Sequence, residues 1–269
     1  MGSARRAVQF DVNATQFERF GERSIKGFCK FNPGWNVVIH DRGLTDAQRT
    51  LLESTNAEIC SSPSPLQNLR DLLDDYDIVL HLNIATFTFA SLDPWIVELE
   101  SGVADISAGI RGDSLRIDIR DVARTVKVLG VDDEVLDRVR LDTGVMLLRK
   151  TDKIISVLDK VLNSREQLDG SARGQEGIWL SALIWQRDCT VLIPKEGYIA
   201  YPTFTPQLPS SIEASDHPIT RSGEEILILY FRHEKHHFTR IDGWKGLGYR
   251  MWVAWCDATK HFLELPWTT

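Results

Sequence analysis

Long apolar runs, paired cysteines and phosphate-cradling glycine motifs are all missing from this sequence. The longest apolar stretch, Ile226 to Phe231, falls far short of the roughly 20 residues that a membrane span needs, so no spanning helix is expected. Arg5 and Arg6 lead into no apolar segment, so no secretory signal is expected either. The four cysteines, Cys29, Cys60, Cys189 and Cys256, never stand as C-x-x-C. Their scatter argues against a zinc site or a disulfide frame and fits reduced, mostly buried thiols of a cytoplasmic protein. Neither G-x-G-x-x-G after the first strand nor G-x-x-x-x-G-K-[ST] anywhere is present, which removes support for a Rossmann dinucleotide site and a P-loop. The absence of G-x-S-x-G removes the commonest hydrolase elbow. Positive charge is not in excess: the net charge is −7, whereas wrapping long nucleic acid needs clustered Lys and Arg to release counterions. A mononucleotide ligand makes no such demand.

What is present is a chain of 269 residues, 43% hydrophobic, without repeats or low-complexity stretches. That length and apolar content suit one large α/β domain or two small ones. The residues 7–12 read as a buried strand that exits into Asn13, and Phe17, Phe20, Ser24 and Phe28 then share one helical face. A second strand covers 36–40. Thr45 with Gln48 forms a capping box for the next helix. A short strand covers 57–60, and Asp77-Ile-Val-Leu-His-Leu82 is apolar enough to be covered on both faces. Further strands are expected at 104–108, 145–148, 190–193 and 226–231. Helices are expected at 94–100, after Thr151, and at 175–185. Strands alternating with helices make this an α/β chain with a largely parallel sheet. Ligands in such sheets bind beyond the carboxyl ends of the strands, which singles out residues 11–15, 83–86 and 233–237.

The order of four segments resembles the GT-A glycosyltransferases, especially the glycogenin-like and lipopolysaccharide galactosyltransferase-like enzymes. Phe10-Asp-Val-Asn-Ala-Thr15 is similar to the family's nucleoside-binding edge. Asp77-Ile-Val-Leu-His-Leu-Asn-Ile-Ala85 stands where the family runs an apolar strand into Asp-x-Asp. Leu141-Asp-Thr-Gly-Val-Met-Leu-Leu148 resembles its Asn-Ser-Gly-Val-Met strand beside the donor sugar, and Gly174-Gln-Glu-Gly-Ile-Trp-Leu180 its Asp-Gln helix start. The resemblance implies a GT-A fold with a mostly parallel, mixed central sheet flanked by helices. It also implies one domain over residues 1–269, with a Trp-rich extension over 239–269. The implied partners are a nucleoside diphosphate sugar donor, UDP foremost, and an acceptor that the sequence does not identify.

The departures carry as much weight. The family's metal-binding aspartates fall at Asn83 and Ala85, and its late metal-binding His falls near Tyr230 or Phe231. Hard divalent cations want charged oxygens, so no metal and no other cofactor is expected. A diphosphate leaving group then needs another positive partner. Arg232-His-Glu-Lys-His-His237 supplies one in Lys235 and His233, although the same run reads as a solvated loop. Asp142 and Glu176 are the catalytic candidates; each reads otherwise as a loop aspartate or a first-turn glutamate. Phe10, Asp11, Val12, Asn13, Asn83, Ala85, Thr143 and Gln175 are the candidates for nucleotide and donor contacts. Among these, Phe10 is expected to pack against the base, while Asp11 and Asn13 are also ordinary strand-end turn residues. His81, inside its strand, reads as a core histidine. Trp244, Trp252, Trp255 and Trp267 offer an acceptor platform or a small satellite core. Losing Asp-x-Asp fits a non-catalytic nucleotide- or sugar-binding descendant equally well, or altered chemistry on the same scaffold.

Overall fold

The computed structural model describes residues 4–119, 121–168, 175–195, 197–200 and 225–230. The run 232–237, with His233 and Lys235, and the extension 239–269, with its tryptophans, lie outside the described residues.

Strands β1 (Arg6–Val12), β2 (Asn36–Asp41), β3 (Glu58–Cys60), β4 (Ile78–Asn83), β6 (Ile106–Ser114), β7 (Val139–Arg149) and β8 (Val191–Leu192) form one sheet in the order β3-β2-β1-β4-β7-β6-β8. A second sheet holds β5 (Thr86–Thr88), β9 (Ile199–Ala200) and β10 (Ile228–Tyr230) in the order β5-β10-β9. Helices α1 (Ala14–Gln16), α2 (Glu22–Phe31), α3 (Asp46–Glu53), α4 (Pro65–Asp75), α5 (Asp93–Ser101), α6 (Leu115–Asp118), α7 (Val122–Leu129), α8 (Asp152–Ser164) and α9 (Glu176–Gln186) alternate with them. In the large sheet β2 is parallel to β3 and β6 to β8, while β7 runs antiparallel to β6, the mixed arrangement expected.

Two compact units emerge from the packing. The first holds the described residues up to Gln9 with Ser62–His81 and Val97–Ile193; the second holds Phe10–Ser61, Leu82–Ile96 and the described residues from Pro194 onward. Strands β1 and β4 continue from the first into the second.

In the first unit, α9 is apolar on every side, and Ile178 to Ile184 are all buried. A helix of that kind belongs inside a core. Thr151 caps α8 by accepting from the Ile154 N–H at 3.3 Å, and Ile154, Val157, Leu158 and Val161 form its buried face. Buried Gln9 accepts from Asn68 Nδ2 at 2.8 Å, donates to the Pro65 carbonyl at 3.1 Å and lies 3.3 Å from His81 Nδ1. Polar groups in a core must be partnered, and this trio partners itself. His81 is therefore a core histidine.

In the second unit, five residues, Phe17–Gly21, wind as a π-helix between α1 and α2. Phe28 takes Phe10 and Trp35 edge-on, at 5.8 and 5.6 Å between ring centres. The predicted capping box is present: Thr45 Oγ1 accepts from the Gln48 N–H, and Gln48 Oε1 accepts from the Thr45 N–H at 3.0 Å. The final strand corrects an expectation. Rather than joining the large sheet, β10 lies between β5 and β9, antiparallel to the first and parallel to the second. Its unbroken apolar character, Ile226 to Tyr230 all buried, comes from this central place in the small sheet.

Candidate functional site

The candidate residues fall into two clusters, one in each unit. In the second unit, β1 and β2 are neighbours, and their exits are tied together. The Arg42 N–H donates to the Val12 carbonyl at 2.9 Å, and the Ala14 N–H donates to the Gly43 carbonyl at 3.3 Å. Asp41 Oδ1 accepts from the N–H groups of Gly43 and Leu44, each at 2.7 Å, and its Oδ2 pairs with Arg49 Nε at 2.7 Å. Gly43 has φ +103°, a conformation that L side chains rarely adopt, so glycine suits this turn. Burial acts to raise the Asp41 pKa, but the bonds from Leu44, Arg49 and Gly43 outweigh it and hold the carboxyl below its ordinary range.

Asp11 stands on this platform. Its Oδ1 lies 3.0 Å from Nδ1 of buried His40 and 2.8 Å from Arg42 Nε. Arg42 Nη2 also donates to Gln16 Oε1 at 3.1 Å. Asn13 accepts from the Gln16 N–H at 3.0 Å as the cap of α1. Phe10 and Val12 are fully buried, so the expected stacking of Phe10 on a base is corrected: its ring is core, packed on Phe28. Only the backbone of those two residues is available to a ligand. Arg42 was missed in the sequence because the strand-exit rule was applied to β1 and not to β2 beside it, whereas His40 lies inside β2 and Gln16 in α1, where that rule does not look.

In the turn from β4 to β5, Asn83 Oδ1 accepts from the Ala85 N–H at 3.2 Å, and Thr86 Oγ1 donates to the Asn83 carbonyl at 2.6 Å. The Asn83 amide thus closes its own turn. Ala85 is fully buried and offers a methyl group. An amide oxygen already in use beside a buried methyl is no donor set for a hard divalent cation, and these residues do not fit one. Among the described residues, no three His, Cys, Asp or Glu side chains converge to hold a metal.

In the first unit the surprise is β7. The sequence placed a strand at 145–148; the strand instead runs from Val139 to Arg149 and takes in Asp142, so the alternative of a loop aspartate does not hold. Met146 pairs with Ala108 and Leu141 with Ile110, so Asp142 to Val145 oppose Gly109 alone. This bulge re-aims the segment, as bulges beside functional sites do. Asp142 is buried, and its Oδ1 accepts from the Gly144 N–H at 3.2 Å.

Helix α9 is strapped to the same strand. Ser181 Oγ donates to the Gly177 carbonyl at 2.8 Å and accepts from the Leu141 N–H at 3.2 Å, while Trp185 Nε1 donates to the Val139 carbonyl at 2.8 Å. A Cβ on Gly177 would stand 2.4 Å from Thr143 Oγ1, so only glycine lets the helix start approach the bulge this closely. Gln175 is the cap residue of α9 and contributes its carbonyl to the Ile178 and Trp179 N–H groups. Glu176 Oε1 pairs with Arg165 Nε at 2.7 Å, a partner the sequence did not reveal. The structure thus brings Thr143 against the first turn of α9 and pairs Glu176 away to α8's end.

No protein-family model and no curated protein sequence matches the chain. Solved structures do. The galactosyltransferase LgtC, in complex with donor and acceptor sugar analogues, is 16% identical with TM-score 0.55, over 96% of this chain and 94% of that one. The apo glycosyltransferase GlyE of Streptococcus pneumoniae TIGR4 is 14% identical with TM-score 0.54, over 97% of this chain and 64% of its own. The apo form of the bifunctional glycosyltransferase WbbM is 8% identical with TM-score 0.50, over 94% and 50%. At such identities the likeness is one of fold. This chain has the GT-A glycosyltransferase fold that its segment order implied.

Proposed function

We propose that this protein is a glycosyltransferase that moves a sugar from a nucleoside diphosphate donor, UDP foremost, without a divalent metal ion. The observation that carries the reading is the Asp142–Val145 bulge. On a fold shared with a galactosyltransferase that binds donor and acceptor analogues, it carries a buried carboxylate bonded to the Gly144 N–H, beside Thr143, which lies against helix α9. In transfer, the bond from the anomeric carbon to the diphosphate oxygen breaks and a bond to an acceptor hydroxyl oxygen forms. The hydroxyl proton passes to the departing diphosphate, and the sugar keeps its configuration. Asp142 acts on the positive charge that develops on the sugar. Asp11, Asn13 and the backbone of Phe10 and Val12 hold the nucleoside, and Asn83, Thr143 and Gln175 contact the donor. The spent amide of Asn83 and the methyl of Ala85 support metal independence. Cationic side chains, with Lys235 and His233 as the candidates, take the diphosphate in place of the ion.

Asn83 and Ala85 equally favour one rival, a nucleotide-binding protein on this fold that no longer catalyses. Thermal-shift measurement with nucleoside diphosphates and nucleotide sugars, with and without EDTA, tests the shared part. UDP should raise the melting temperature equally in both conditions. Stabilisation that needs Mg²⁺ or Mn²⁺ would refute metal independence, and no stabilisation by any nucleotide would refute both readings.

A further inference from the structure

We propose that Arg111 and Arg140 form an anion site that takes a phosphate or carboxylate group carried by the sugar acceptor. The inference rests on the glycosyltransferase reading and adds to it the chemical class of the acceptor.

In the antiparallel pair of β6 and β7, Arg111 stands directly opposite Arg140. Side chains so placed share one face of the sheet, with Cβ atoms about 4.5–5.5 Å apart, and like charges there destabilise the pairing. Both residues are half-buried, so water screens their repulsion only in part. Among the described residues, no hydrogen-bond or ion-pair partner of the Arg111 side chain is present. Acidic side chains just ahead of β7 are committed elsewhere: Arg116 holds both Asp133 and Asp137, each at 2.9 Å. Asp142, two residues beyond Arg140, spends its Oδ1 on the Gly144 N–H. An anion bound by both guanidinium groups turns this repulsion into attraction. Phosphate and carboxylate suit them, because each accepts parallel bonds from the planar fork of an arginine.

The place of the pair says which ligand brings the anion. Arg111 lies near the carboxyl end of β6, the end at which α/β sheets collect ligands. Arg140 enters the Asp142–Val145 bulge from the other strand, with only Leu141 between it and Asp142. Asp11, Asn13 and Asn83, the candidates for holding the nucleotide, belong to the second unit, whereas both arginines belong to the first with Asp142. Asp142 acts at the sugar carbon where donor and acceptor meet. The anion held beside it is accordingly the acceptor's.

Thermal melting of the full chain in inorganic phosphate, against chloride at matched ionic strength, reads the site itself. Calorimetric titration with glucose 6-phosphate, glucuronate, glucose and UDP reads its ligand. Both use wild type, Arg111→Gln, Arg140→Gln and Arg111→Lys, and circular dichroism verifies that each variant folds. Phosphate should raise the melting temperature of wild type and leave that of the two glutamine variants unchanged. Glucose 6-phosphate and glucuronate should bind wild type at least roughly tenfold more tightly than glucose, the usual worth of one charge-assisted hydrogen bond. That gap should close in both glutamine variants and persist in part in Arg111→Lys, which keeps the charge and loses the planar fork. UDP affinity should move by less than about twofold in every variant. A phosphate effect that is absent from wild type, or equal in the glutamine variants, overturns the site. So does a gap between the charged sugars and glucose that survives both glutamine substitutions. Parallel losses of UDP and glucose 6-phosphate would give the pair to the donor diphosphate and overturn the acceptor assignment. If UDP fails to bind wild type, the glycosyltransferase reading falls and the acceptor assignment with it, whatever the phosphate melting shows.

Discussion

Gly177→Ala adds one methyl group where α9 meets the β7 bulge, and it separates two opposing effects by sign. An alanine in an unobstructed helix stabilises by roughly 1 kcal/mol over glycine. The added Cβ would sit 2.4 Å from Thr143 Oγ1, and 3.3 Å from both its Cβ and Cγ2, so the Thr143 side chain must turn or the helix start must move away. Overpacking of this kind costs typically about 1–3 kcal/mol. The net expectation is a loss of roughly 0–2 kcal/mol, the overpacking less the helix gain. Thr143→Ala removes the obstructing Oγ1 and Cγ2 and leaves only the Cβ. Combining it with Gly177→Ala should recover the helix gain, with a coupling of about 1–3 kcal/mol between the two sites. Urea unfolding of wild type, both single variants and the double variant measures that coupling. Additivity within about 0.5 kcal/mol, the margin for independent sites, would refute the contact, as would a stabilised Gly177→Ala single variant.

Other consequences can be read in the same way. Ala85→Asp should lose at least about 2 kcal/mol at pH 7, because the carboxylate enters a fully buried place. The loss should shrink as pH falls toward 4 and the group protonates, so restoring the missing aspartate does not by itself restore a metal site. Asp41→Asn should be less stable than wild type at pH 7. The folded-state pKa of Asp41 is lowered, so its contribution is complete above the ordinary value of 3.8 and is lost as pH falls through the lowered one. Chemical denaturation from pH 7 downward should therefore show a gap that holds above 3.8 and narrows below it. Asp142→Asn should lower turnover by about 10²-fold or more while changing donor affinity little, since a charge acting on the developing cation contributes in the transition state. Equal losses in affinity and none in turnover, by single-turnover kinetics, would make Asp142 a ground-state contact.

Much of the fold was legible because it is written in local chemistry. The capping box at Thr45, the cap at Thr151 and the apolar run of β4 each act through neighbours in sequence, and each element lies where its pattern put it. The Asp142 bulge was not legible. Its cause is the register with β6 and the approach of α9, both set by residues far along the chain, and a glycine at 177 shows nothing of its need until Thr143 lies against it. The sheet that receives β10 was hidden for the same reason: apolar continuity says that a strand is covered, not by what. At the site, Asp11 was found by its place at a strand exit. Arg42 was missed because the same rule was not applied to the adjacent strand, and His40 because it lies inside that strand. Phe10 was misread because an aromatic beside a polar exit looks like a stacking platform, whereas alternation along β1 turns it into the core.

The central claim is turnover, and the most direct measurement is release of UDP from a panel of UDP-sugars by the full chain in EDTA, with Asp142→Asn in parallel. Slow hydrolysis reports the chemistry even without the acceptor. The account predicts UDP release from at least one sugar donor, at a rate indifferent to EDTA and lost in Asp142→Asn. A protein that binds UDP and its sugars yet releases nothing from any of them, or whose release is the same with Asn at 142, would contradict it.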